Sequence, residues 1–168
     1  MTHMRTATLL LGLMLAACAT VPRPGPSVGA PAAIAWGSGV DAMKARLAGQ
    51  CEKITVRPIK PPFLTAVKDQ QQIDCEGFRY FGGARHVEFV IGDDSLEMVW
   101  VMIDPADYDS ALKAMTAAFG APTARRDDMV GWPAHRTALR SKPAEFLFYS
   151  PRQAVEWEEW YREPAAAH

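Results

Sequence analysis

The chain is poor in the residues that announce a chemistry. Of its four histidines, only His86 and His135 fall in the region that reads as folded. There is no GxSxG elbow, which removes the signature of the α/β-hydrolase nucleophile. There is no HExxH and no CxxC, which removes the common zinc spacings. No basic cluster exceeds Arg125-Arg126 and the formal net charge is -1. That argues against nucleic acid as a partner and against a membrane held by charge alone. Nothing here asks for a cofactor or a metal.

Cysteine is scarce but informative. The three are Cys18, Cys51 and Cys75. The N-terminus reads MTHMRTATLLLGLMLAACAT, with Arg5 as a short basic region and Ala7 to Ala17 apolar apart from Thr8. Met4 is an alternative start that tightens the basic region. The apolar run is shorter than the roughly 20 residues of a spanning helix. A short apolar core ending in small residues is a cleavable export signal.

The signal ends in Leu15-Ala16-Ala17-Cys18, which resembles the lipobox of bacterial lipoproteins. The resemblance covers the signal alone. It implies lipidation at Cys18, removal of residues 1–17, and membrane attachment through acyl chains. Several chains hold stably where one is marginal. Ala19 lacks the aspartate that marks inner-membrane retention in enteric-type lipoproteins, which favours the outer membrane over the inner. The other reading is ordinary cleavage after Ala19, since Ala17-Cys18-Ala19 is itself an A-x-A pattern, and a free periplasmic protein.

An odd cysteine count in an exported chain asks for an explanation. Lipidating Cys18 supplies one and leaves Cys51 and Cys75 to pair in an oxidising compartment. Such a bridge contributes about 3 kcal/mol by chain entropy. The alternative is two separate buried thiols.

Ala19 to Ala33 reads ATVPRPGPSVGAPAA, a Pro/Gly/Ala-rich stretch expected to be a tether spanning residues 18–33 with the lipidated cysteine. The tail, residues 163–168, reads EPAAAH and is expected to be disordered. One globular domain is expected from Ile34 to Arg162. Three helices have start signals. Ser38 with Asp41 makes a near capping box ahead of Val40, Met43 and Leu47. Asp104-Pro105 opens a second, whose stripe is Tyr108, Leu112, Met115 and Phe119, with Gly120 as its stop. Ser150-Pro151 opens a third, carrying Ala154, Trp157, Trp160 and Tyr161.

Strands are expected at about Lys53 to Ile59, Gln71 to Tyr80, Arg85 to Ile91 and Leu96 to Ile103, with turns at Gly82-Gly83 and Gly92 to Ser95. Three shorter ones follow at about Met129 to Trp132, His135 to Arg140 and Glu145 to Ser150. Arg125 to Asp128 reads as a solvated loop. The expected fold is α+β: a small antiparallel sheet against two to three helices, with a helix-plus-meander unit that repeats. The first copy runs from Val40 through Ile103, the second from Tyr108 through Tyr149. This order is similar to that of the small outer-membrane-assembly lipoproteins and the β-lactamase-inhibitor proteins, as a fold analogy only.

A three-residue loop, Phe81 to Gly83, sets one face of the meander as Ile73, Cys75, Val87, Phe89, Ile91, Leu96, Met98 and Trp100, the expected core. The other face then holds Asp74, Glu76, His86, Glu88 and Glu97, with Phe78, Val90, Val99 and Val101. That is too apolar for a fully solvated face. Either the chain covers it, through residues 58–65 or the last helix, or a partner does. Phe78, His86, Glu88, Val90, Val99 and Val101 are the candidate interaction residues.

The leading expectation is a non-enzymatic binding or scaffold module of the cell envelope, with an envelope protein as partner. One alternative is an envelope hydrolase or metal-dependent enzyme using His86 with Glu76 or Glu88. The other is a specific protein inhibitor or immunity-type binder. Asp93-Asp94-Ser95 could hold a cation weakly, but Asp also suits turns through its own side-chain hydrogen bonds.

Overall fold

A computed structural model describes residues 26–163. The expected export signal, Cys18 and the rest of residues 1–25, and residues 164–168, lie outside the described residues. The first helix, α1, is Val40–Leu47, followed by strands β1 (Lys53–Pro58), β2 (Gln70–Tyr80), β3 (Gly83–Gly92) and β4 (Ser95–Met102). A 3-10 turn at Pro105–Asp107 leads into α2 (Tyr108–Phe119). Then come β5 (Ala124–Arg126), β6 (Met129–Trp132), β7 (Thr137–Ser141), β8 (Ala144–Tyr149) and α3 (Ala154–Arg162). The fold is α+β, with one eight-stranded antiparallel sheet in the order β1-β2-β3-β4-β8-β7-β6-β5.

That order is two helix-plus-meander units joined by their last strands. β4 and β8 pair antiparallel around Trp100↔Leu147. Equivalent strands meeting antiparallel place a local two-fold relation at the seam. β5 is a fourth strand of the second unit, where the sequence reading had a loop. Its two arginines hide it. Arg126 is largely buried because its guanidinium lies 4.5 Å over the Trp160 ring and bonds the Trp160 carbonyl and the Glu163 carboxylate. Asp127-Asp128 is then a two-residue hairpin turn, with Arg126 paired to Met129.

The helix starts follow local chemistry, with one exception. The Asp104 carboxylate accepts from the Ala106 N–H ahead of α2, and Gly120 ends that helix at φ 83°. Ahead of α3, the Gln153 N–H reaches the Ser150 hydroxyl. At α1 the N-cap is Gly39, not Ser38, and no side chain of the cap residue contributes. The Val40 N–H is taken instead by the Asp94 carboxylate, 3.2 Å away across the fold. Asp93 likewise accepts from the Lys68 and Asp69 N–H groups, which hold its carboxyl below the usual range. The Asp93-Asp94 pair is a structural clamp on two neighbouring segments.

Two bulges decide which side chains face where. One lies between Cys75 and Phe78, with Gly77 at φ 78°, a backbone that favours glycine. The other lies at Glu97: Ile91 pairs with Leu96, but Val90 pairs with Met98. An extra residue in one strand turns over every side chain beyond it. Met98 and Trp100 therefore leave the expected core face, and Val99 and Val101 take their places. Phe78 crosses to that face in the same way, its ring 6.3 Å from Phe89. The hairpin turn itself is Phe81-Gly82, with Tyr80 paired to Gly83.

The main core lies under α1 and α2. Met43, Leu47, Ala111 and Met115 pack on Ile73, Cys75, Val87, Phe89, Ile91, Leu96, Val99, Val101, Phe146 and Phe148. Each large side chain so buried stabilises the fold by about 1.5–3 kcal/mol. The body also starts ahead of Ile34. Val28 and Ala33 are buried in this core, the Tyr80 hydroxyl donates to the Gly29 carbonyl, and Arg46 donates to the carbonyls of Ala32 and Ala33. Part of the expected tether is thus docked. At the other end, the Glu163 N–H bonds the Glu159 carbonyl and ends α3.

Cys51 and Cys75 form a disulfide closing 24 residues of chain, with Cα atoms 5.4 Å apart. It ties the approach to β1 onto the middle of β2.

Candidate functional site

The face of the sheet opposite α1 and α2 divides into two halves. One is sealed by the chain itself. α3 lays Ala154, Trp157, Trp160 and Tyr161 over Met98, Trp100, Leu147 and Tyr149, while Leu64 and Val67 cover Val90. The Trp157 ring sits 6.3 Å from Trp100 and 5.7 Å from Tyr149. Leu64 is fixed by Gln70, whose buried side-chain oxygen accepts from the N–H groups of Phe63 and Leu64.

The other half carries charge. Asp74 on β2 and Glu88 on β3 are direct cross-strand partners. Arg57, reaching over from the edge strand β1, bonds Asp74 at 2.9 Å and lies 3.7 Å from Glu88. His86 is two residues before Glu88 and so faces the same way. Its Nδ1 is 2.7 Å from Glu76 and its Nε2 is 3.6 Å from Glu88. Like charges directly opposite in a sheet repel, and here Arg57 offsets that repulsion.

Two strands further along, Glu145 on β8 has no exposed surface and pairs with Arg140 on β7. Burial pushes its carboxyl up to about 7, while Arg140 pulls it down and Glu88 adds to the rise. The Arg140 guanidinium also lies 4.5 Å over Trp100. Trp100 thus marks the border, with Trp157 against it on the sealed side.

The structure brings His86, Glu88 and Glu76 together as the sequence pattern suggests. It separates them from the other candidate interaction residues. Phe78, Val99 and Val101 are buried on the opposite face, and Val90 is buried under Leu64. Glu97 is not a surface residue either. It is the bulge residue, buried, with its carboxylate accepting from Ser150 Oγ at 2.5 Å and from Arg152 at 3.2 Å. His135 stacks on Phe119, 4.6 Å between rings, away from the cluster.

Sequence reasoning missed Arg57, Arg140, Glu145 and Trp100 at this surface. A signal for one pair was present: Arg140 and Glu145 flank a Lys-Pro turn at the spacing of cross-strand partners. Arg57 carried none, because its role depends on which strand β1 joins.

The cluster lies on the broad surface of the strands. A cleft of about 550 Å³ lies elsewhere, lined by Ser27, Gly29 to Ala32, Gln50 and Phe78 to Gly83. No helix among the described residues is long and apolar enough to cross a membrane. Compared with protein-family models, with curated proteins and with solved structures, the chain matches none.

Proposed function

We propose that this chain is a membrane-tethered periplasmic lipoprotein, anchored at Cys18, that acts as a non-enzymatic binding or scaffold module of the cell envelope. Its recognition surface is the open charged half of the outer sheet face, and its partner is an envelope protein. The outer membrane is the favoured address, because Ala19 follows the lipid-bearing cysteine.

The observation that carries this reading is the division of the outer face. The apolar half is closed by α3 and Leu64, so a partner is not needed to cover it. What remains is a charged strand surface rather than the concave, mostly apolar site of small-molecule chemistry. Charged surfaces of this kind steer encounter and select partners more than they add raw affinity. Docking of Val28 supports a short leash. Cys18 and Val28 are ten residues apart, and ten residues span at most about 35 Å. The body would therefore work close to the bilayer that holds it.

Fractionation of cells expressing the chain and its Cys18→Ser variant tests the anchor. The parent is expected in the membrane fraction and the variant in the soluble periplasmic fraction, each with its disulfide intact. Detergent extracts test the surface. One stoichiometric companion is expected with the parent and is expected to be lost with Asp74→Ala/Glu88→Ala. A soluble parent protein starting at Thr20 would overturn the anchor. A companion retained by the double variant would overturn the surface.

A further inference from the structure

We propose that Asp74, His86 and Glu88 form a binding site for a first-row divalent cation of the zinc type, with Arg57 as its built-in competitor. This goes beyond the binding-module reading and stands without it, since it uses no partner and no lipid.

The donor set is one imidazole and two carboxylates, nitrogen and oxygen ligands that suit zinc and its neighbours rather than magnesium. One ligand atom from each of the three lies within 4.8 Å of the other two. Bonds of about 2.0–2.2 Å to a tetrahedral zinc would place the ligand atoms roughly 3.4 Å apart. Closing the gap takes at most about 1.4 Å for any pair, within reach of side-chain rotation because all three side chains are only partly buried.

The backbone brings these groups together without special arrangement. Asp74 and Glu88 are opposite partners in the β2–β3 ladder, and His86 shares their face two residues upstream of Glu88. The disulfide at Cys75 anchors the strand between Asp74 and Glu76.

The histidine is oriented for ligation. Glu76 holds Nδ1 at 2.7 Å and leaves Nε2 toward Glu88. Metal-bound histidines almost always give their second nitrogen to such a carboxylate, which fixes the ring and raises its basicity. Glu76 is thus a positioning residue and not a ligand. Arg57 bonds Asp74 and neighbours Glu88, the positions a cation would take. It sits on an edge strand with its side chain about half exposed, so it can swing into water when a metal arrives.

Zinc titrated calorimetrically into the full chain, purified without a histidine tag and with its disulfide intact, tests this. One site per chain is expected, and no matching heat with magnesium. His86→Ala and His86→Gln are both expected to lose at least tenfold in affinity while keeping the parent's melting curve. Glu76→Gln is expected to lose about tenfold. The distinguishing arm is Arg57→Ala, expected to bind zinc several-fold more tightly, because it removes the competitor and leaves the ligands. Equal zinc binding by the parent and both His86 variants would overturn the site. Weaker or unchanged binding by Arg57→Ala would overturn the competition.

Discussion

Glu145 shows how much one residue can owe to its place in the fold. It is fully buried, and burial outweighs its Arg140 partner, so its carboxyl rises from 4.5 to about 7. The folded state then holds a proton that the unfolded chain has already released. The stabilisation from that proton is complete below the unfolded value near 4.5 and is lost as pH rises through about 7. Glu145→Gln keeps the side-chain oxygen that Arg140 faces and removes the titration. Chemical denaturation of both proteins from pH 5 to 8 is expected to show the parent losing about 2 kcal/mol relative to the variant. Parallel stability curves would contradict it. The turn spacing marks its pairing with Arg140, but nothing in the sequence marks its burial, because burial is a property of the finished sheet. The cysteines were legible for the opposite reason. Their pairing follows from an odd count and the export signal expected at the N-terminus, before any geometry is known.

At the level of elements, α3 is the piece that turns an exposed apolar sheet into half of a second core. Its stripe of Trp157, Trp160 and Tyr161 was readable as an amphipathic face. The outer face was readable as one place for it, but the residues it covers there were not, because the Glu97 bulge moved Met98 and Trp100 to the side that α3 covers. A bulge at glutamate leaves no trace in an alternating pattern, whereas the one beside Gly77 carries the mark of glycine inside a strand. The fit of α3 is tight at Gly131. A Cβ there would come within 2.4 Å of the Tyr161 hydroxyl oxygen, which is buried with no partner of its own. Gly131→Ala is expected to cost about 1–3 kcal/mol by overpacking. Two ring carbons of Tyr161 lie nearly as close, at 2.6 and 2.9 Å, so it is Tyr161→Ala, which removes the ring, in whose background the same glycine change is expected to cost clearly less. Urea denaturation of the four proteins measures the coupling. Equal costs in both backgrounds would show that α3 does not press on Gly131.

As a whole, the molecule is two helix-plus-meander units sharing one sheet, closed by a disulfide and led by an expected lipid anchor. The doubled order was legible from the sequence of helix starts and turns. The seam between β4 and β8 was not, because sequence order says nothing of which strands meet at a distance. The disulfide spans 24 residues of the first unit only. Cys51→Ala/Cys75→Ala is expected to lower unfolding free energy by about 3 kcal/mol without changing far-UV circular dichroism. A loss of strand signal would instead make the bridge a condition of folding.

The central claim is that the anchored body offers the open half of its outer sheet face to an envelope protein. A photo-crosslinking residue placed at Thr55, the exposed β1 residue directly opposite Asp74, in living cells with Cys18 intact, tests it most directly. One discrete adduct is expected from Thr55, and none from the same probe at Lys113 on α2, which faces away on the other side of the sheet. No adduct from Thr55, or the same adduct from both positions, would contradict the claim.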